Sequence, residues 1–212
     1  MVELEVHGEV RVLRMDDGEN RLNRRFLDDF SAALDVVEAV KGACALVTTG
    51  AGKFYSNGLD LDWLASGEAD PGFVEQVHGL LRRLLTFDRY TVAAVSGHAF
   101  AAGAMLATAH DFVLMRRGRG YWCLPEVDLG LPLTPEMFDV LAAHLPRATL
   151  ADAALTGRRY TAEDAVVAGI AREAVDEDAL LDRAIEIAAE AAGKSREVIR
   201  AHKALLAGSQ PA

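Results

Sequence analysis

The fold is decided by Thr91-Val92-Ala93-Ala94-Val95-Ser96-Gly97-His98-Ala99-Phe100-Ala101-Ala102-Gly103-Ala104-Met105-Leu106. A short apolar run reaches a Ser-Gly turn, and alanine-rich chain follows. The run suits a strand buried on both faces, as in a parallel sheet. The alanine-rich part predicts a helix over 99–109. Upstream, Ala43-Cys44-Ala45-Leu46-Val47-Thr48 runs into Gly50 and then Phe54-Tyr55-Ser56-Asn57-Gly58-Leu59-Asp60-Leu61. Downstream, Asp111-Phe112-Val113-Leu114-Met115 is a further strand, closed by Arg116-Arg117-Gly118-Arg119-Gly120. The strand-turn-helix unit thus recurs.

Outward from these units, Val2–Leu13 alternates around His7-Gly8 and predicts a hairpin. Helices are expected over 22–40, from near Leu59, and over 71–86. Residues 121–127 read as extended. Past Pro132 the helical pattern takes over, at 135–144, 147–155, 161–167, 176–192 and 195–206. An α/β core over 1–157 followed by a helical region over 158–212 is the expected organisation.

Composition narrows the function. The 212 residues are 51% hydrophobic and 25% charged, as in soluble globular domains, and the net charge is −10. An acidic chain gains nothing from counterion release, so nucleic acid is excluded as the main partner. Cys44 and Cys123 sit in apolar stretches without zinc spacing and read as reduced core thiols, so no metal is expected. No basic segment precedes a long apolar run, and the most apolar stretch is too short to span a bilayer, so no membrane partner and a cytoplasmic protein are expected.

Two familiar motifs fail. Gly50-Ala51-Gly52 lacks the third glycine of a dinucleotide loop, since Tyr55 stands there. Neither Ser56 nor Ser96 lies in a nucleophile elbow, and His98 and His110 have no nucleophile pattern beside them. What remains is two small-residue junctions where strands give way to helices. N–H groups there lack internal partners. Close helix–strand packing alone accounts for such residues; two convergent donors would also hold a carbonyl oxygen as charge develops on it.

The ordered set of motifs favours the second use. Phe54–Leu61, Thr91–Gly103, His110–Met115, Leu124-Pro125-Glu126-Val127-Asp128-Leu129-Gly130 and Leu155-Thr156-Gly157-Arg158-Arg159-Tyr160-Thr161-Ala162 resemble, in the right order, the enoyl-CoA hydratase/isomerase (crotonase) superfamily. The resemblance implies a crotonase-like spiral of strand-strand-helix units. It implies an acyl-CoA thioester substrate, with coenzyme A belonging to the substrate and no separate cofactor. It also implies a homotrimer or hexamer built through the C-terminal helices.

By the same resemblance the backbone donors are Leu59 and Ala102, the latter standing where glycine is usual. Arg21 and Lys53, with Asn20, would lie toward the nucleotide, and Gly58 and Asp60 would cradle the adenine and pantetheine. Gly103 flanks the second donor. Hydratases of the family use two glutamates, and here one position is Met105 and the other Glu126. Hydration needs one group for water and one for the α-carbon. Moving a double bond from β,γ to α,β needs only one, so the chain resembles most the enoyl-CoA delta isomerase branch, with Glu126 as base. Glu136, on the following helix, is a reserve base, and Met105 would line a fatty acyl pocket. Hydratase-like chemistry, thioester hydrolysis, decarboxylation or binding without turnover are the alternatives on the same scaffold.

Overall fold

The computed structural model describes residues 2–208. The chain opens with an antiparallel hairpin, β1 (Val2–His7) and β2 (Val10–Met15), followed by helix α1 (Arg24–Ala39). Three turns of a spiral come next. The first is β3 (Ala45–Gly50), β4 (Phe54–Ser56), α2 (Leu61–Ala65) and α3 (Phe73–Leu85). The second is β5 (Tyr90–Val95), β6 (His98–Phe100) and α4 (Ala102–Thr108). The third is β7 (Phe112–Arg116), β8 (Trp122–Cys123), α5 (Glu126–Leu129) and α6 (Pro135–Ala142). The remainder is α7 (Arg147–Thr156), α8 (Ala162–Val167), β9 (Glu173–Val175), α9 (Leu180–Ala192) and α10 (Arg196–Leu206).

Each turn of the spiral gives one strand to a large sheet, ordered β1-β2-β3-β5-β7-β9, and one to a small sheet, ordered β4-β6-β8. Every pairing except β1–β2 is parallel. The corners between sheets stack tightly. A Cβ on Gly97 would lie 2.1 Å from the Lys53 carbonyl oxygen, and one on Gly120 would lie 2.4 Å from the Gly97 carbonyl carbon. Only glycine allows those backbones to touch.

Alternation along the large sheet sorts its side chains. Val10, Val12, Val47, Val92, Ala94 and Leu114 pack on α9 through Ala184, Ile187 and Ala188. Leu13, Met15, Leu46, Ala93, Val95 and Met115 face the main core. The C-terminal region therefore adds a strand and a covering helix to the same core. Its last helix is anchored by a buried charge: Lys203 Nζ donates to the Arg89 carbonyl at 2.6 Å and lies 2.8 Å from Asp111. Cys44 and Cys123 are free and buried, as their apolar settings suggest.

Three expectations are corrected. The helix predicted over 99–109 begins at Ala102, because residues 98–100 pair with β4 and β8 instead. The segment expected to be extended over 121–127 closes into α5 at Glu126. Leu22, expected in a helix, bridges Leu59, and α1 starts two residues later behind Asn23, whose side chain accepts the Phe26 N–H at 3.0 Å. Among the described residues no helix is long and apolar enough to cross a membrane, and no cluster of three His, Cys, Asp or Glu could hold a metal ion.

Candidate active site

Two loops meet above the small sheet. Residues 57–60 run beside residues 19–22 and are clamped by three backbone bonds: Asn57 N–H to Glu19 O at 2.9 Å, Leu22 N–H to Gly58 O at 2.8 Å, and Asp60 N–H to Leu22 O at 3.0 Å. Parallel pairing turns alternate residues toward the partner. Gly58 and Asp60 face the clamp, so the Leu59 N–H faces away from it and has no hydrogen-bond acceptor among the described residues.

The second loop follows β6. Ala101 takes φ 52° and ψ −125°, a region that suits glycine. Its N–H donates to the Cys123 carbonyl at 3.1 Å, and its carbonyl accepts from the N–H groups of Ala104 and Met105. Ala102 is the first residue of α4, where an N–H has no partner within the helix, and none outside it is present among the described residues. Gly58 lets the loops close. At φ 82°, a Cβ there would stand 2.9 Å from the Phe100 carbonyl oxygen and 3.2 Å from the Ala102 nitrogen.

Leu59 and Ala102 line one cavity of ≈430 Å³. Leu61, Phe100, Pro125, Leu129, Leu131, Pro132 and Met137 give it a long apolar wall. Two acids reach it. The Asp62 side chain is 89% exposed and lies 2.8 Å from Arg21, so it is a solvated ion-pair partner. Glu126, at the start of α5, differs: its Oε2 is buried and has no hydrogen-bond partner among the described residues. Burial pushes the Glu126 pKa above the usual carboxylate value, against a smaller lowering by its own backbone N–H. A carboxylate so placed can take up a proton, and it lines the same cavity as Leu59 and Ala102, whose N–H groups have no partner among the described residues.

The other expected site residues divide. Arg21 lines the cavity, held by Glu19 at 2.7 Å and Asp62 at 2.8 Å. Asp60 caps α2, accepting the Trp63 N–H at 3.3 Å. A Cβ on Gly103 would sit 2.2 Å from the Ser56 carbonyl oxygen, so this glycine seats α4 on β4. Met105 is wholly buried in the core and is not part of the cavity wall. Lys53 is exposed outside the cavity, its Nζ 5.3 Å from the centre of the Phe54 ring. Asn20 spends its side chain on neighbouring backbone. His110 is a core residue, its ring between Thr48 Oγ1 at 2.9 Å and the Leu106 carbonyl, and burial lowers its pKa to about 3.

Glu136 lies apart from Glu126. It opens on a separate cavity of ≈160 Å³ with His78, 4.0 Å away. Hydrogen bonds from its own N–H and from Thr134 hold its pKa down, the opposite of the shift at Glu126. Sequence reasoning missed the apolar wall of Leu129, Leu131 and Met137. The leucines between Glu126 and Pro132, too few for a core helix, were its available signal.

Comparison with known proteins identifies the family of the chain and the fold it shares. The enoyl-CoA hydratase/isomerase family model matches residues 5–210. The chain is 35% identical over 192 residues to enoyl-CoA delta isomerase 3 of Arabidopsis thaliana, covering 84% of this chain and 79% of that protein. It is 38% identical over 147 residues to a carnitinyl-CoA dehydratase of Citrobacter koseri, covering 68% and 55%. It superposes on the crystal structure of a probable enoyl-CoA hydratase of Mycobacterium tuberculosis with a TM-score of 0.89 at 29% identity, covering 98% of this chain and 88% of that one. With the family model spanning nearly the whole chain and the strand-strand-helix spiral in place, this chain belongs to the enoyl-CoA hydratase/isomerase family.

Proposed function

We propose that the protein is an enoyl-CoA delta isomerase that moves a β,γ double bond of an acyl-CoA into α,β conjugation with the thioester. The observation that carries this reading is the Glu126 carboxylate, buried without a partner in a cavity whose other acid is tied to Arg21 at the surface. Glu126 takes the α-proton, and the electron pair moves into the thioester to give a dienolate. The N–H groups of Leu59 and Ala102 hold its oxygen, each contributing about 3–4 kcal/mol. The protonated Glu126 then returns the proton to the γ-carbon, and the double bond comes to rest between the α- and β-carbons. A base with a raised pKa matches this task near neutral pH.

Met105 supports isomerisation over hydration. It stands where the family's hydratases carry a second glutamate, and here that place is apolar core. The apolar wall suits a fatty acyl chain, while Arg21, and Lys53 farther out, suit the phosphates of coenzyme A. A trimer or a pair of trimers is part of this reading, supported by exposed Leu155, Val167, Leu205 and Leu206.

Incubation with a β,γ-enoyl-CoA tests the reaction class. Conjugation to the α,β isomer is expected. Release of free thiol would instead indicate a hydrolase, loss of carbon dioxide from a carboxyacyl-CoA a decarboxylase, and binding without product an acyl-CoA carrier.

A further inference from the structure

We infer that Asn20 is a positioning residue for the Leu59 donor. The inference rests on the reading above for what that donor does, and on separate geometry for how it is held. Asn20 is 1% exposed and takes φ 49°, a left-handed conformation that asparagine tolerates better than most residues. Its Oδ1 accepts the Asp17 N–H at 2.8 Å. Its Nδ2 lies 3.2 Å from the Met15 carbonyl, 3.2 Å from that of Phe54 and 3.1 Å from that of Tyr55. Two N–H bonds are thus shared among three carbonyl oxygens. Its own carbonyl accepts Ser56 Oγ–H at 2.7 Å, and Ser56 Oγ in turn accepts the Gly58 N–H at 3.3 Å.

These contacts converge on residues 54–58, the segment that delivers the chain to Leu59. They start from the residue just before Arg21-Leu22, whose backbone clamps Gly58 and Asp60. Asn20 therefore grips the donor loop from beneath, through β4 and through Ser56, while Leu22 grips it from the side. It does not line the cavity and has no side-chain atom left over for a ligand. A donor aimed by such a scaffold loses effect steeply with small displacements, of the order of a hundredfold for about 1 Å.

The test uses Asn20→Asp and Asn20→Gly in the full chain. Both residue types tolerate the positive φ. The first sets a carboxylate oxygen against three carbonyls, and the second leaves those carbonyls without the amide. Three quantities are read on folded protein: kcat for a β,γ-enoyl-CoA, the Kd of a saturated acyl-CoA, and the absorption shift of an arylacryloyl-CoA. That chromophore moves to the red when its thioester carbonyl is polarised by the two N–H donors. The expected result is a tenfold to hundredfold fall in kcat and a smaller red shift. Kd should stay within about threefold, and the pH at half-maximal kcat should not move. Lower melting temperature with wild-type kcat and red shift would overturn the inference and leave Asn20 a stability residue. Should both variants fail to fold, Ser56→Ala carries the test, with a smaller loss in the same two readouts expected and wild-type values contradicting it. A wild-type red shift without isomerisation would sink the proposed reaction alone, and the variants' red shift would still decide the role of Asn20.

Discussion

The N–H of Ala101 donates to the carbonyl of Cys123 at 3.1 Å, and this rung joins the two halves of the site. Ala101 precedes the free N–H of Ala102, and Cys123 lies three residues before Glu126. The Trp122 and Cys123 strand pairs with Ala99 and Phe100 in the small sheet. The Ala102 N–H and the Glu126 carboxylate are therefore placed by the same short ladder, and a change that bends either strand should disturb both.

Ala101 pays a conformational cost at φ 52° and ψ −125°. Strain of this kind is typically 1–3 kcal/mol, against about 0.5–1 kcal/mol for the extra freedom of an unfolded glycine. Ala101→Gly should therefore stabilise the protein by about 1 kcal/mol in denaturant melts. Ala101→Val should destabilise it, since a β-branched side chain fits that region worst.

Gly58→Ala should impair both fold and turnover. The added Cβ meets the Phe100 carbonyl oxygen at 2.9 Å in a left-handed conformation, forcing the donor loops apart. A stability loss of about 1–3 kcal/mol and at least about a tenfold fall in kcat are expected. Unfolding curves and steady-state rates check the two effects separately.

Glu126 sets a pH dependence with a defined sign. Its folded pKa is raised by burial, so the folded state holds its proton over a window where the unfolded state has lost it. Stability at this site is therefore greatest below the unfolded value and falls as pH rises through the window, levelling off above the folded pKa. Glu126→Gln removes the penalty. The variant should gain on the wild type in melting temperature as pH rises toward neutrality, and the two should converge in acid. The acid limb of kcat should likewise lie above the ordinary carboxylate range.

Lys203→Ala should release the C-terminal helix. It removes one partner of a buried pair and strands Asp111, which also accepts the Thr91 N–H at 2.7 Å. Breaking such a pair typically costs about 3–5 kcal/mol. Denaturant unfolding and hydrogen exchange over 196–206 would register the loss.

The long elements were legible because periodicity accumulates over them: α1, α3, α9 and α10 follow their apolar stripes, and β3, β5 and β7 their apolar runs. The three-residue strands β4, β6 and β9 carry too few positions for a period to emerge. At Ala99 and Phe100, helix propensity lost to ladder bonds with β8. Leu59, Ala102 and Glu126 were reachable through the order of the family motifs, and the structure brings all three to one cavity. The grip of Asn20 on β4 spans 34 and 35 residues, and the Lys203 contact with the Arg89 carbonyl spans 114. Neither leaves a local pattern, so neither was readable before the chain was folded.

The most direct test compares Glu126→Gln with Glu136→Gln, side by side, on one β,γ-enoyl-CoA. General base catalysis is typically worth 10²–10⁴-fold, so Glu126→Gln should lose roughly a thousandfold in kcat, while Glu136→Gln stays within about threefold of the wild type. Substantial conjugation by Glu126→Gln, or its abolition by Glu136→Gln alone, would contradict the assignment of the proton shuttle to Glu126.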